Sequence, residues 1–184
     1  MNKYRVLCIV FALAACGNTD TPDTPRTPES ASALALDALL APLKAGEFSK
    51  TDILANSAFA NEEEMMLSGI FGKFDYAIVG GEEGTDTATV DVKITMVDMG
   101  ELFSAYLTEA MAHVTEADWD ADGSYFAEMA KGEAAVTRDF TVTVQMAKDA
   151  DGAWTVAKDG NDALYNALTG GLIDSLGGLE DMLS

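Results

Sequence analysis

The stretch T-A-T-V-D-V-K-I-T-M-V, residues Thr87–Val97, decides the fold. In an extended chain Ala88, Val90, Val92, Ile94 and Met96 fall on one side. Thr89, Asp91, Lys93 and Thr95 fall on the other. A period of two with one apolar side marks a half-buried strand of an antiparallel sheet, with one face on a core and the other in water. The pattern returns over Val136–Met146, where Phe140, Val142, Val144 and Met146 share a side. Each strand has a partner nearby in the chain. Before the first, F-D-Y-A-I-V places Phe74, Tyr76 and Ile78 together, and G-G-E-E-G-T-D then breaks the chain. After the second, the turn A-K-D-A-D-G leads into the short return A-W-T-V-A, and its Asp151-Gly152 suits positive φ. Two hairpins, and so about four strands, are predicted.

A sheet with one apolar face needs a cover, and helical segments supply it. Leu36, Leu39, Leu40 and Leu43 have helical spacing, with Ser30 or Ser32 able to cap the start and Gly46 suited to the end. Pro42 removes one helical hydrogen bond and predicts a kink in the last turn. A second helix is predicted over about Ser49 to Ser68. Asp98 and Glu101 form a capping box for a helix with Leu102, Phe103, Tyr106, Leu107, Ala110, Met111 and Val114 on one side. A short helix over about Gly123 to Ala130 and a last one through Leu168, capped by Asp159 or Asn161, complete the set. The expected fold is α+β: a curved antiparallel sheet with helices on its apolar face.

The chain begins with Lys3 and Arg5, then an apolar run from Val6 to Ala15 that ends at Cys16. The run is too short to cross a bilayer and fits the core of a signal peptide. Leu13-Ala14-Ala15-Cys16 resembles a bacterial lipobox. In that family the chain is cut before the cysteine and its thiol carries diacylglycerol, whose two acyl chains anchor stably where one does not. The resemblance implies residues 1–15 as signal peptide, Cys16 as the lipidated residue, and attachment to the extracytoplasmic side of a bacterial envelope membrane. Residues 16–30 follow as a Pro/Thr-rich linker, with three of the chain's four prolines, each after threonine. Such linkers extend by about 3.1 Å per residue, a reach of roughly 40 Å. Residues 31–168 then form the domain, and 169–184 a tail interrupted by Gly170-Gly171 and Gly177-Gly178.

Composition narrows the function. With 31 acidic against 11 basic side chains the net charge is −20, and removal of residues 1–15 makes it more negative still. A surface of this sign argues against nucleic acid as a partner. Of the two cysteines, Cys8 leaves with the signal and Cys16 is used by the lipid, so no disulfide is expected.

The leading helix ending L-K-A-G-E-F, the strand T-D-T-A-T-V-D-V-K-I-T and the closing V-T-V-Q-M-A-K-D-A-D-G-A-W-T-V give a further resemblance. With the lipobox they resemble small bacterial lipoproteins whose domain is similar to the nuclear-transport-factor-2-like, or cystatin-like, cone. That resemblance implies a bent sheet wrapped around a helix, often with a pocket at the wide end. Its members include ligand-binding modules, assembly modules and a few enzymes such as ketosteroid isomerase. Phe48, Phe59, Tyr76, Tyr106, Phe140 and Trp154 are the candidate pocket residues.

Catalytic chemistry has few carriers here. His113 is the single histidine, no G-x-S-x-G accompanies it, and a protein zinc site lacks its His and Cys ligands. Phosphate-loop and dinucleotide glycine motifs are absent from the sequence. An isomerase in a cone needs a buried carboxylate base and a hydrogen-bond donor, for which Asp75, Tyr76, Asp91 and Tyr106 are the candidates. The stretch D-W-D-A-D-G offers Asp118, Asp120 and Asp122 at alternate positions before Gly123, like the opening of a calcium loop. The closing bidentate glutamate is missing: position twelve is Met129. The competing account is an acidic turn in which Asp122 caps the next helix and Trp119 enters the core. Calcium would then bind weakly, in the range of about 10⁻⁴ to 10⁻³ M. No other cofactor is expected.

The sequence predicts a lipid-anchored binding or scaffolding module without enzymatic activity, its partner a small molecule or an envelope protein. An isomerase or dehydratase, and a weak calcium-binding surface protein, stand as alternatives. Cys16→Ser is expected to release the protein from membranes. Intact mass of the membrane-extracted protein checks this: cleavage before Cys16 with added acyl mass is expected, and an unmodified soluble form would refute the anchor.

Overall fold

The computed structural model describes residues 29–56, 64–115, 119–120 and 123–175. Its elements run α1 (Ala31–Lys44), α2 (Glu64–Ile70), β1 (Asp75–Glu83), β2 (Thr87–Val97), α3 (Met99–Ala112), α4 (Ser124–Lys131), β3 (Thr137–Lys148), β4 (Trp154–Val156) and α5 (Asp162–Leu168). Short 3₁₀ turns lie at Phe48–Lys50, Ile53–Asn56 and Phe71–Lys73. The fold is α+β, with one open antiparallel sheet in the order β1-β2-β3-β4.

The alternation of β2 and β3 is realised as expected. Val90, Val92, Ile94 and Met96 of β2 and Val142, Val144 and Met146 of β3 are buried. Val92 faces Val142, and Val90 faces Val144, across the ladder. On the other face Thr143 donates to Asp91 at 2.6 Å and Thr95 to Asp139 at 2.6 Å. Water and cross-strand polar pairs therefore take one face, and the helices take the other.

Leu36, Leu40 and Leu43 of α1 enter that core fully buried. The helix starts where Ser30 Oγ accepts the Ala33 amide at 3.2 Å, while the Glu83 carboxylate accepts the Ser32 amide at 2.7 Å. Near the other end the Lys44 ammonium donates to Asp75 at 2.6 Å. Contacts with both ends of β1 lay α1 along that strand. Its opposite flank meets β4, the far edge of the sheet. A helix parallel to one edge strand reaches the other only when the sheet curls around it. α1 runs through Pro42 to Lys44.

Several expectations need correction. G-G-E-E does not break β1: the strand continues to Glu83 through a bulge between Ile78 and Gly80. The region of Ser49 to Ser68 is not one helix. Thr51 is extended between two 3₁₀ turns, and its hydroxyl donates to the Leu39 carbonyl at 2.9 Å, a local bond that competes with helix. Residues 57–63, including Phe59, lie outside the described residues. α2 begins at Glu64 and crosses α4 closely: a Cβ on Gly69 would stand 2.8 Å from the Ala127 Cα.

α3 departs furthest from expectation. Asp98 caps it as predicted, accepting the Gly100 and Glu101 amides at 3.1 Å. Yet only Met99 and Leu102 are buried. Phe103 and Leu107 are exposed, and Met111 and Val114 more so, at 76% and 80%. The apolar stripe read as core faces outward, because α1 and α5 already fill the sheet face. Beyond Leu168 the chain stays packed: Thr169, Gly170 and Gly171 are buried and the Gly170 carbonyl accepts the Met99 amide at 3.1 Å.

Asn161 precedes α5 but gives it no side-chain cap. Instead its amide completes the sheet. Oδ1 accepts the Gln145 amide at 2.8 Å, and Nδ2 donates to the carbonyls of Gln145 at 3.1 Å and Ala157 at 2.8 Å. The side chain is 2% exposed and replaces the strand that β4 is too short to provide. Asn161→Ala leaves backbone groups buried without partners, so a loss of about 2–3 kcal/mol is expected. Chemical denaturation checks it; a loss under about 1 kcal/mol would mean that water replaces the amide.

Candidate binding cleft

The curl leaves a gap where α1 passes β4. Leu36, Leu40 and Leu43 occupy the core side of the helix, which turns Ala35, Ala38 and Leu39 towards β4. Two alanines in that wall leave space that larger side chains would fill. Trp154, Thr155 and Val156 form the facing wall, and Asp52, Ile53 and Tyr165 close the ends. The cleft holds about 370 Å³, near the lower end of the volumes that take small ligands. Its lining is largely apolar, with Asp52 as its one carboxylate. The Lys148 ammonium lies 5.0 Å from the Trp154 ring centre and donates to the Thr85 carbonyl at 2.6 Å.

Of the pocket candidates read from sequence, Trp154 lines this cleft and the other described ones do not. Phe48 packs on Phe71, with ring centres 5.7 Å apart. Tyr76 stacks on Phe74 and donates its hydroxyl to Asp37 at 2.7 Å. Desolvation, and then the Asp37 carboxylate, push the Tyr76 phenol well above its ordinary range. Phe140 lies under the Arg138 guanidinium at 5.1 Å. Tyr106 belongs to a separate cluster on α3 and α4. Tyr165, Ala35 and Ala38 also line it, and none is a candidate from the sequence. Small residues and a lone tyrosine carry no signal until α1, β4 and α5 are brought together.

The candidate bases are poorly placed for proton abstraction. The Lys44 ammonium beside Asp75 holds that carboxyl below its usual value, opposite to the shift a general base at neutral pH requires. Asp91 sits on the polar face of the sheet, bonded to Thr143. Neither lines the cleft.

The acidic turn resolves around Asp120. Asp118 and Asp122 lie outside the described residues. Asp120 itself adopts φ 48°, a left-handed conformation that aspartate tolerates. Its two carboxylate oxygens accept the amides of Tyr125 at 2.7 Å and Phe126 at 3.2 Å. Asp120 therefore closes the first turn of α4, the role expected of Asp122. Both oxygens already serve the helix. Trp119 does not enter the sheet core. It stacks on His113 with ring centres 5.1 Å apart and 4° between planes, and also contacts Tyr106 and Tyr125. Burial first, and then the nearby Asp120, raise the Tyr106 phenol. Among the described residues no group of three or more His, Cys, Asp or Glu side chains is arranged to hold a metal. No helix among them is long and apolar enough to cross a membrane.

No family model matches the chain, and no curated protein or solved structure matches it either.

Asp120→Ala is expected to destabilise the domain by about 1 kcal/mol, as loss of a helix cap does. The same loss should appear with and without 1 mM calcium in thermal melts, a concentration near the weak end of extracellular sites. A calcium-dependent stabilisation of the parent that the variant lacks would make the turn a metal site.

Proposed function

We propose that the chain is a lipid-anchored, extracytoplasmic binding or scaffolding module, with the cleft between α1 and β4 as its ligand site. The observation that carries the reading is the lining of that cleft. Two small alanines, an exposed edge of Trp154, Ile53 and Tyr165 offer apolar contact, and Asp52 offers one charged group for orientation. This is the make-up of a recognition site: mostly apolar, with few polar groups. Leu13-Ala14-Ala15-Cys16 and the Thr-Pro linker, with a reach of roughly 40 Å, support such a tether to a membrane surface. Its partner is then a small molecule or an envelope protein, not nucleic acid, because the acidic surface repels polyanions.

The rival reading, an isomerase or dehydratase, needs a desolvated carboxylate against substrate. Asp52 is the carboxylate at the cleft and it is exposed, which favours binding over proton transfer. Calcium, on the third reading, would be held weakly through water at the turn that contains Asp120.

Filling the cleft tests the site. Ala38 is exposed on α1, so Ala38→Trp adds bulk without entering the core. A library of small neutral aromatic fragments is expected to shift the amide resonances of Ala35, Leu39, Ile53 and Trp154 in the parent, and these shifts should vanish in the variant. Fragment shifts that cluster elsewhere, or that survive Ala38→Trp, would move the ligand site out of the cleft.

A further inference from the structure

The hydrogen-bond phase of β4 gives the cleft a chemical character beyond its side chains. Ala157 donates its amide to Gln145, and the Ala153 carbonyl accepts from Asp149 at the other end of the strand. With Thr155 opposite Ala147, residues 153, 155 and 157 are those that face β3. Trp154 and Val156 therefore point their N–H and C=O groups the other way. Among the described residues β4 is the last strand of the sheet, so these four groups form its open edge, and both residues line the cleft.

The two edges of this sheet are built differently. β1 is bent by its bulge and ends in Glu82-Glu83, features that discourage another strand from pairing. β4 has no bulge, no charge and no proline, and consists of Trp, Thr and Val, all residues suited to strands. Ala35 and Ala38, the two smallest side chains of the cleft wall, share that cleft with β4. A strand laid beside β4 would send alternate side chains into that space.

We propose that the ligand of the cleft is an extended peptide segment, added to β4 as a fifth strand. This rests on the binding reading above and names its ligand class. The chemistry specifies the peptide. Up to four backbone hydrogen bonds join it to Trp154 and Val156. One apolar side chain fills the space against Ala35, Ala38 and Leu39. A lysine or arginine beside it meets Asp52, the one carboxylate of the cleft lining, which has no ion pair among the described residues. Lys148, the cation over the Trp154 ring, donates to the Thr85 carbonyl. Main-chain bonds supply affinity in strand addition, and pockets for alternate side chains supply selectivity. The three-residue length of β4 limits recognition to a short motif.

Panning a displayed library of random dodecapeptides against the purified protein, followed by NMR titration of synthetic enriched peptides, tests the proposal. Enriched peptides are expected to alternate apolar residues, to carry a basic one, and to slow hydrogen exchange at the Trp154 and Val156 amides. N-methylation of the peptide at the bonded nitrogens should weaken binding about tenfold or more, since it removes donors from the ladder. Val156→Pro should do the same from the protein side: it deletes an outward N–H that the native sheet does not use, and edge strands tolerate proline. Asp52→Asn should weaken binding of the basic peptides more than that of neutral ones. Absence of any enriched peptide, or peptides indifferent to N-methylation, would overturn strand addition. Fragments that still mapped to the cleft in that case would leave a binding module with a non-peptide ligand. Loss of both would remove the cleft itself as a site.

Discussion

The contact of α1 with a one-faced sheet governs everything else in this protein. β2 and β3 present Val90, Val92, Ile94, Val142 and Val144 to one side only, and that side must be removed from water. Leu36, Leu40 and Leu43 do this, fully buried against it. Because α1 lies along β1 and also touches β4, the sheet has to curl. The curl in turn brings the outer flank of the helix close to the far edge strand without quite closing on it. The cleft is the remainder of that geometry. Ala35 and Ala38 keep it open, since larger side chains at those two positions would have sealed helix to strand.

Polar chemistry is used in this fold mostly to finish what the core begins. Asn161 serves a short edge strand by bonding both backbone groups of Gln145. Glu83 and Ser30 together satisfy amides at the start of α1 and so fasten it to β1. Asp120 spends both carboxylate oxygens on α4. An acidic chain of this kind invites readings in terms of cations. At Glu83 and Asp120 the negative group is instead held by backbone N–H donors, which is why acids at helix starts are common.

Two apolar features stand outside the core and differ in kind. The stripe on α3, from Phe103 to Val114, is a convex helix surface. The cleft is concave, bordered by an open strand edge. A concave apolar surface beside a strand edge offers both the hydrophobic and the hydrogen-bonding half of recognition, whereas the helix stripe offers one.

How much was legible beforehand follows from how far apart the deciding residues lie. The sequence by itself determined the facing of β2 and β3, the burial of α1 and the cap at Asp98, because each depends on residues within a few positions of one another. The class of fold followed from those patterns. Tertiary structure alone decided that α3 turns its stripe outward. Local periodicity marks an apolar side but not whether the sheet has room left for it. It also decided that Asn161 bonds a strand instead of a helix, since Gln145 is distant in sequence. The aromatic candidates failed for the same reason. Phe48, Tyr76, Tyr106 and Phe140 are pocket-like in composition, but each finds a different neighbour once packed. The cleft is defined by small side chains on α1 facing strand groups on β4, with most of the domain between them in the chain. No pattern within either segment encodes that meeting; it exists only after the shared core has fixed the distance between helix and strand.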